Sequence, residues 1–241
     1  MGRSKDLATG TFTTALDVQG AITSDGLTVD TSDQVIINHS GDAGGLRIDS
    51  TNNTNTGSIR FGDVADNYIG AVEYNHTSDA LSFYANNATR MTINSSGHVQ
   101  MPYQPAWCLQ PNHSTTSYSS GDTQIPFVSG VGSFGTFIQG GVTANSSGRV
   151  TIPVAGKYFC HVSFRQENVS TNMQLSIWKN GTYLVRGGIW YNSEVYENIS
   201  IARTFDLAVN DYLEVKINLG VANNIAGYND RLTFFSGFMI G

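Results

Sequence analysis

Apolar and polar residues alternate in short runs along the first hundred positions, and turn residues punctuate every run. Leu16-Asp-Val18 precedes Gln-Gly, Leu27-Thr-Val29 precedes Asp-Thr-Ser-Asp, and Val35-Ile-Ile37 precedes Asn-His-Ser-Gly, so apolar side chains fall two apart, as on one strand face. Ser58-Ile-Arg-Phe-Gly62, Ile69-Gly-Ala-Val-Glu-Tyr74 and Ala80-Leu-Ser-Phe-Tyr84 continue the pattern between Asp, Asn and Gly turns. A loose self-similarity links Leu46-Arg-Ile-Asp-Ser-Thr-Asn52 with Met91-Thr-Ile-Asn-Ser-Ser-Gly97. Runs this short bury too little apolar area to offset a backbone ordering cost of roughly 1–2 kcal/mol per residue. Residues 21–101 are therefore expected to form an elongated, repeat-like β shaft, its core completed by winding three chains together.

Met101-Pro-Tyr-Gln-Pro105 holds two of the five prolines, which makes the backbone there stiff, extended and poor in ladder donors. A domain boundary is expected at this point. Beyond it the strand candidates lengthen and become aromatic: Ala106–Leu109, Gln124–Val128, Gly148–Pro153, Tyr158–Arg165, Met173–Lys179, Tyr183–Arg186, Ile199–Phe205, Tyr212–Asn218 and Arg231–Ile240. Tyr158, Cys160, Val162 and Phe164 alternate with Phe159, His161 and Ser163, marking two faces of one strand. Asn180-Gly181, between Gln174-Leu-Ser-Ile-Trp-Lys179 and Tyr183-Leu-Val185, is a type I′ hairpin signal. Eight to ten strands in residues 102–241 predict an all-β, two-sheet jelly roll.

The segments Val150-Thr-Ile-Pro-Val-Ala-Gly-Lys-Tyr-Phe159, Leu175-Ser-Ile-Trp-Lys-Asn-Gly181, Phe205-Asp-Leu-Ala-Val-Asn-Asp-Tyr-Leu213 and Phe235-Ser-Gly-Phe-Met239 occur in the order of a known pattern. Residues 104–241 in this respect resemble the globular head of complement component one-q, within the tumour-necrosis-factor-like superfamily. Asn210 stands where that family usually has Gly. The resemblance implies a ten-stranded jelly roll that packs as a homotrimer, and some relatives hold calcium near the three-fold axis. The collagen stalk of many animal members is missing, since residues 1–103 show no Gly-X-Y period. Ile59-Arg-Phe-Gly-Asp63, Asn67-Tyr-Ile-Gly-Ala-Val-Glu-Tyr74, Leu81-Ser-Phe-Tyr84 and Arg90-Met-Thr-Ile-Asn-Ser-Ser-Gly97 are instead similar to the shaft unit of tail-fibre and related structural proteins of marine bacteriophages.

Charge narrows the partners. Of the net −6, all falls in residues 1–103, with 5 Lys+Arg against 11 Asp+Glu, while residues 104–241 carry 8 against 8. No run of basic residues offers a nucleic-acid footprint, and no apolar stretch approaches the roughly 18 residues of a membrane span. Met1-Gly-Arg-Ser-Lys-Asp-Leu7 lacks a secretory core, so synthesis and assembly in a host cytoplasm are expected. Cys108 and Cys160 are too few for a disulfide framework; two buried free thiols are the plainer reading, and a bridge between them stays open.

Catalytic constellations are weak. Glu194 and Glu197 are the nearest carboxylate pair in the second half, with Asp206 and Asp211 farther on, and they read as loop acids rather than the paired carboxylates of a glycosidase. No Gly-x-Ser-x-Gly elbow occurs, and the glycine-rich runs lack the Lys of a phosphate loop. No Cys and His spacing suits zinc, no cofactor is expected, and calcium is left open by the resemblance alone. The aromatic, amide-bearing segments Arg186-Gly-Gly-Ile-Trp-Tyr-Asn192 and Ala226-Gly-Tyr-Asn229 suit recognition of a sugar or protein, with Arg186, Trp190, Tyr191, Asn192, Tyr196 and Tyr228 as receptor-binding candidates.

The expectation is a non-enzymatic, homotrimeric virion fibre. Residues 1–20 would attach to other virion proteins, 21–101 would form the shaft, and 102–241 would form a head adhering to a host-surface glycan or protein. A capsid-decorating or cement fibre is the alternative, and a polysaccharide-degrading tailspike the third.

Overall fold

The computed structural model describes Ile48 and residues 55–131, 135–167, 172–190, 196–227 and 232–241; for residues 115, 166, 167, 188–190, 196 and 197 it describes the backbone alone. The expected runs at 16–18, 27–29, 35–37 and 46–52 fall outside these residues, Ile48 apart, as does the attachment segment 1–20. No helix occurs among the described residues, and every strand pairing is antiparallel.

The first sheet contains β1 (Thr56–Phe61), β2 (Gly70–Asn75), β3 (Ala80–Ala85), β4 (Ala88–Ile93) and β5 (Val99–Gln100), each paired with the next. Its turns are made by side chains suited to them. Asn86 and Asn87 both take positive φ (52° and 54°) between β3 and β4, the conformation that matches hairpin twist. Asn94 accepts from the amides of Ser96 and His98, which shapes the β4–β5 turn.

The residues after this sheet build a sandwich: β6 (Ala106–Pro111), β7 (Thr115–Tyr118), β8 (Gly121–Gln124), β9 (Phe127–Val128), β10 (Phe137–Gln139), β11 (Thr143–Ala144) and β12 (Val150–Thr151). There follow β13 (Gly156–Glu167), β14 (Met173–Lys179), β15 (Thr182–Trp190), β16 (Tyr196–Leu207), β17 (Tyr212–Leu219), β18 (Asn223–Ala226) and β19 (Phe234–Met239). One sheet runs β6-β19-β13-β16 through its long strands, with β7, β9, β10 and β18 at its margins. The other runs β11-β12-β17-β14-β15, with β8 also on β17. The first and last strands are neighbours and most connections cross between sheets, which is jelly-roll connectivity.

Inward residues of both sheets form one core. Trp107, Phe127, Tyr158, Phe164 and Phe235 are fully buried, with Trp107 meeting Phe235 edge-on at 5.6 Å. Burying an aromatic of this kind stabilises by about 1.5–3 kcal/mol, and several in contact make this the strongest element of the fold. The Tyr158 hydroxyl reaches the core margin and donates to the Val154 carbonyl at 2.7 Å.

Several expectations meet the chain directly. Asn180 and Gly181 take φ of 53° and 75° and close the β14–β15 hairpin at Lys179 and Thr182. Asn210 takes φ of 65°, a left-handed conformation that its short amide side chain tolerates. Gln124–Val128, expected as one strand, is two. Ile125 donates to Val215 in one sheet while Pro126 accepts from Asn112 beside the other, so the chain changes sheets at a residue that has no amide proton to pair. The expected strand Tyr183–Arg186 continues into the recognition segment that follows it: Arg186, Ile189 and Trp190 stay in register with Ser176, Gln174 and Met173. The adjacent Gly187 lets β15 lie close to β16, because a Cβ there would come 3.0 Å from Ile201 Cγ1.

Both cysteines are free. Cys160 points into the core, whereas Cys108 is half-buried and not buried as expected. They occupy opposite faces of one sheet with β19 between their strands, which excludes a bridge in this fold.

Candidate binding surfaces

Three surfaces carry side chains that the fold leaves without internal work. The first is one face of the β1–β5 sheet. Register places Ile59, Val72, Phe83 and Met91 side by side, and Tyr74, Leu81, Ile93 and Val99 in the next row. Since side chains alternate across a strand, that face is apolar throughout, while Ser58, Glu73, Ser82 and Thr92 line the other. Ala71 is the one buried hydrophobic residue described in this sheet, and it belongs to the polar side. On the apolar side Phe61 stays 61% and Val99 55% exposed. The polar side is internally satisfied: Tyr68 and Tyr84 donate to the two oxygens of Glu73 at 2.8 and 3.4 Å, and Arg60 lies 4.8 Å over Tyr68. Burial, then the Glu73 carboxylate, pushes the Tyr68 phenol up to about 12.

The second surface is the outward face of the β6-β19-β13-β16 sheet. Phe159 meets Phe238 at 5.5 Å, and His161 meets Phe234 edge-on at 5.0 Å. Cys108 lies across from Ser236, and Phe137 across from Cys108. The strand beside them contributes Ser200, Ala202 and Thr204, all exposed. Phe238 is half exposed, at 50%. Among the described residues, charge enters this face only near its ends, where Lys157 and Asp206 approach at 3.7 Å and where Arg165 lies.

The third surface is the outward face of β17, β14 and β15. Tyr212, Glu214 and Lys216 alternate with the core residues Leu213, Val215 and Ile217. Glu214 sits across from Trp178, Lys216 from Ser176, and Trp178 in turn from Tyr183. The Glu214 carboxylate is 2% exposed, accepts from Arg149 at 2.6 Å and lies 3.7 Å from the Lys216 ammonium. Cations cover the rings: Arg149 over Tyr212 at 4.4 Å, Lys216 over Trp178 at 3.9 Å and Arg186 over Tyr183 at 4.8 Å.

Of the expected receptor-binding residues, Arg186 is an exposed strand residue on this third surface. Trp190 ends β15 and Tyr196 begins β16, so their backbones flank the 191–195 connection, and their side chains lie outside the description. Tyr191, Asn192 and Tyr228 fall outside the described residues, as does Glu194, while Glu197 is described by its backbone alone. Trp178, Tyr183, Lys216 and Arg149 were not singled out by sequence reasoning. The signal for the first two was available, because the Asn180-Gly181 turn fixes which residues of the flanking strands oppose each other.

The acids have structural partners. Asp206 pairs with Lys157, and Asp211 accepts from Asn180 Nδ2 at 2.6 Å and from the Ala208 amide at 2.8 Å, with Lys179 at 3.4 Å. Among the described residues no group of three or more His, Cys, Asp and Glu is placed to hold a metal.

No protein-family model matches the chain, and no curated protein matches it. Among solved structures, the chain is similar to Eiger TNF from S. frugiperda, at 12% identity and a TM-score of 0.44, over 57% of this chain and 94% of that one. It is also similar to murine APRIL at pH 8.0, with 20% identity and a TM-score of 0.45, over 57% of this chain and 99% of that one. The pH 5.0 form of murine APRIL has 20% identity and a TM-score of 0.43 over the same shares.

Proposed function

We propose that the chain is the subunit of a homotrimeric virion fibre of the phage tail-fibre type, whose jelly-roll head attaches non-covalently to a glycan or protein on the host surface. The observation that carries the trimer is the apolar face of the β1–β5 sheet. A five-stranded sheet with one wholly apolar side and no buried apolar residue on that side gains little from folding alone. Two further copies of the same face are the occupant that fits, since every apolar row then meets its own kind. Each 100 Å² so covered contributes roughly 2.5 kcal/mol. The aromatic, nearly uncharged face around Phe159, Phe234 and Phe238 extends the same argument to the head.

A trimer sets three identical heads on one rod. Weak single contacts then combine into avidity, which is what adhesion to a repetitive cell surface needs. Placement on a virion rests on the shaft-unit resemblance at residues 59–97 and on a role for residues 1–20 in docking to other virion proteins. Immunogold labelling of intact particles with antibody to the head tests this: label along tail fibres is expected. Label over the shell would assign the chain to capsid decoration, and unlabelled particles would overturn the virion reading.

A further inference from the structure

We infer that the outward face of β17, β14 and β15 binds a carboxylated saccharide, with Arg186 as the anchor for its carboxylate. The inference rests on the adhesin reading and names the class of ligand and the place of contact.

Charge accounting on this face points to Arg186. Glu214 already engages Arg149 and Lys216, and Asp122 accepts from Asn218 Nδ2 at 3.0 Å, while Lys179 and Asp211 pair with each other on the core side of the sheet's end. Three cations therefore share this face with two carboxylates, in a chain whose net charge is −6. Among the described residues the surplus cation is Arg186, which has no carboxylate partner and is steadied by the Tyr183 ring 4.8 Å away. A guanidinium positioned by a ring keeps its planar fork of N–H donors open, and that fork matches a carboxylate in two parallel hydrogen bonds.

The surroundings suit a sugar better than a flexible polyanion. Tyr183 is 44% exposed and Leu184 beside it is exposed as well, giving a strip on which the C–H face of a pyranose can lie. Trp178 stands edge-on to Tyr183 at 6.2 Å and is locked from behind by its indole N–H, which donates to Ser176 Oγ at 2.8 Å. The platform is thus rigid before ligand arrives, which lowers the ordering cost of binding. A polyanion would need several unengaged cations in a row, whereas Arg149 and Lys216 are held by the buried Glu214.

Titration calorimetry on the full chain, with trigalacturonate, its methyl ester and a short poly-glutamate as probes, tests the inference. Trigalacturonate should bind, the ester should bind at least roughly tenfold more weakly, and Arg186→Ala should weaken trigalacturonate by a similar factor. Melting temperature checks that the variant remains folded, and Tyr183→Ala should weaken binding in parallel. Equal binding of acid and ester, equal binding of poly-glutamate, unchanged affinity in Arg186→Ala, or no binding of trigalacturonate would each overturn the site. Adsorption of the wild-type protein to host cells is scored alongside. If cells bind it and trigalacturonate does not, the site fails and the adhesin reading stands; if cells do not bind it either, the adhesin reading fails too.

Discussion

Gly237 lies directly against the indole of Trp107 across the β19–β6 ladder, and no side chain fits between them. A Cβ at this position would come 2.3 Å from Trp107 Cζ2 and 2.5 Å from Cη2. Trp107 is 1% exposed and packed against Tyr158 and Phe235, so it has nowhere to retreat. The Ser236-Gly237-Phe238 closing motif is therefore a packing requirement of the core. Gly237→Ala should destabilise the head by about 1–3 kcal/mol or more through overpacking. Urea unfolding followed by Trp fluorescence measures this, and an unchanged midpoint would contradict the packing account.

Acid should weaken the sandwich through Asp211. Burial alone would raise its pKa, but the Ala208 amide, the Asn180 amide and Lys179 together hold it below the ordinary carboxylate value. A folded pKa below the unfolded one means a stabilising contribution that is complete above the unfolded value of 3.8 and is lost as pH falls through the lower folded value. Asp211→Ala should cost about 1–3 kcal/mol at neutral pH, because the Asn180 and Ala208 donors lose their partner. Stability measured from neutrality down to pH 2 should fall less steeply in the variant; identical slopes would contradict the assignment.

The two thiols should label very differently. Burial pushes Cys160 up to about 12, and it faces the core with no solvent access. Cys108 is also raised by burial but sits half-buried on the outward face that trimerisation would cover. Alkylation at pH 8 should be slow at both sites in the assembled protein and should accelerate at Cys108 alone when dilute denaturant separates subunits. Rapid labelling of Cys108 in the untreated protein would show that this face is open.

Charge introduced on the apolar faces should dissociate the assembly and leave the jelly roll folded. Val99→Lys and Phe238→Lys each replace a side chain that is about half exposed in one copy, so the sandwich core around Trp107 and Phe164 is untouched. A lysine buried against two like copies is strongly unfavourable unless paired. Sedimentation should show lighter species with an unchanged far-ultraviolet β spectrum. Normal assembly in both variants would place the interfaces elsewhere.

The jelly roll was legible because its long strands carry strict alternation and distinctive turns. Met173–Lys179 matches β14 in full, and Asn180-Gly181 set the hairpin register. The short strands β7, β10, β11 and β18 were not legible, since two to four residues leave too little pattern and their pairing is decided by long-range neighbours. The split of β8 from β9 at Pro126 had a local cue that went unused. Arg186 was found by its chemistry, but the platform around it was not. Its members come from β12's approach, β14, β15 and β17, residues up to 67 positions apart between Arg149 and Lys216, which only the folded sheet brings together.

The mass of the intact protein in solution, by light scattering after size exclusion at micromolar concentration, tests the central claim most directly. A single species of three 26.0 kDa chains that persists on dilution is the predicted result. A stable, soluble monomer would show that one copy tolerates its exposed apolar sheet, and the trimeric fibre would have to be abandoned.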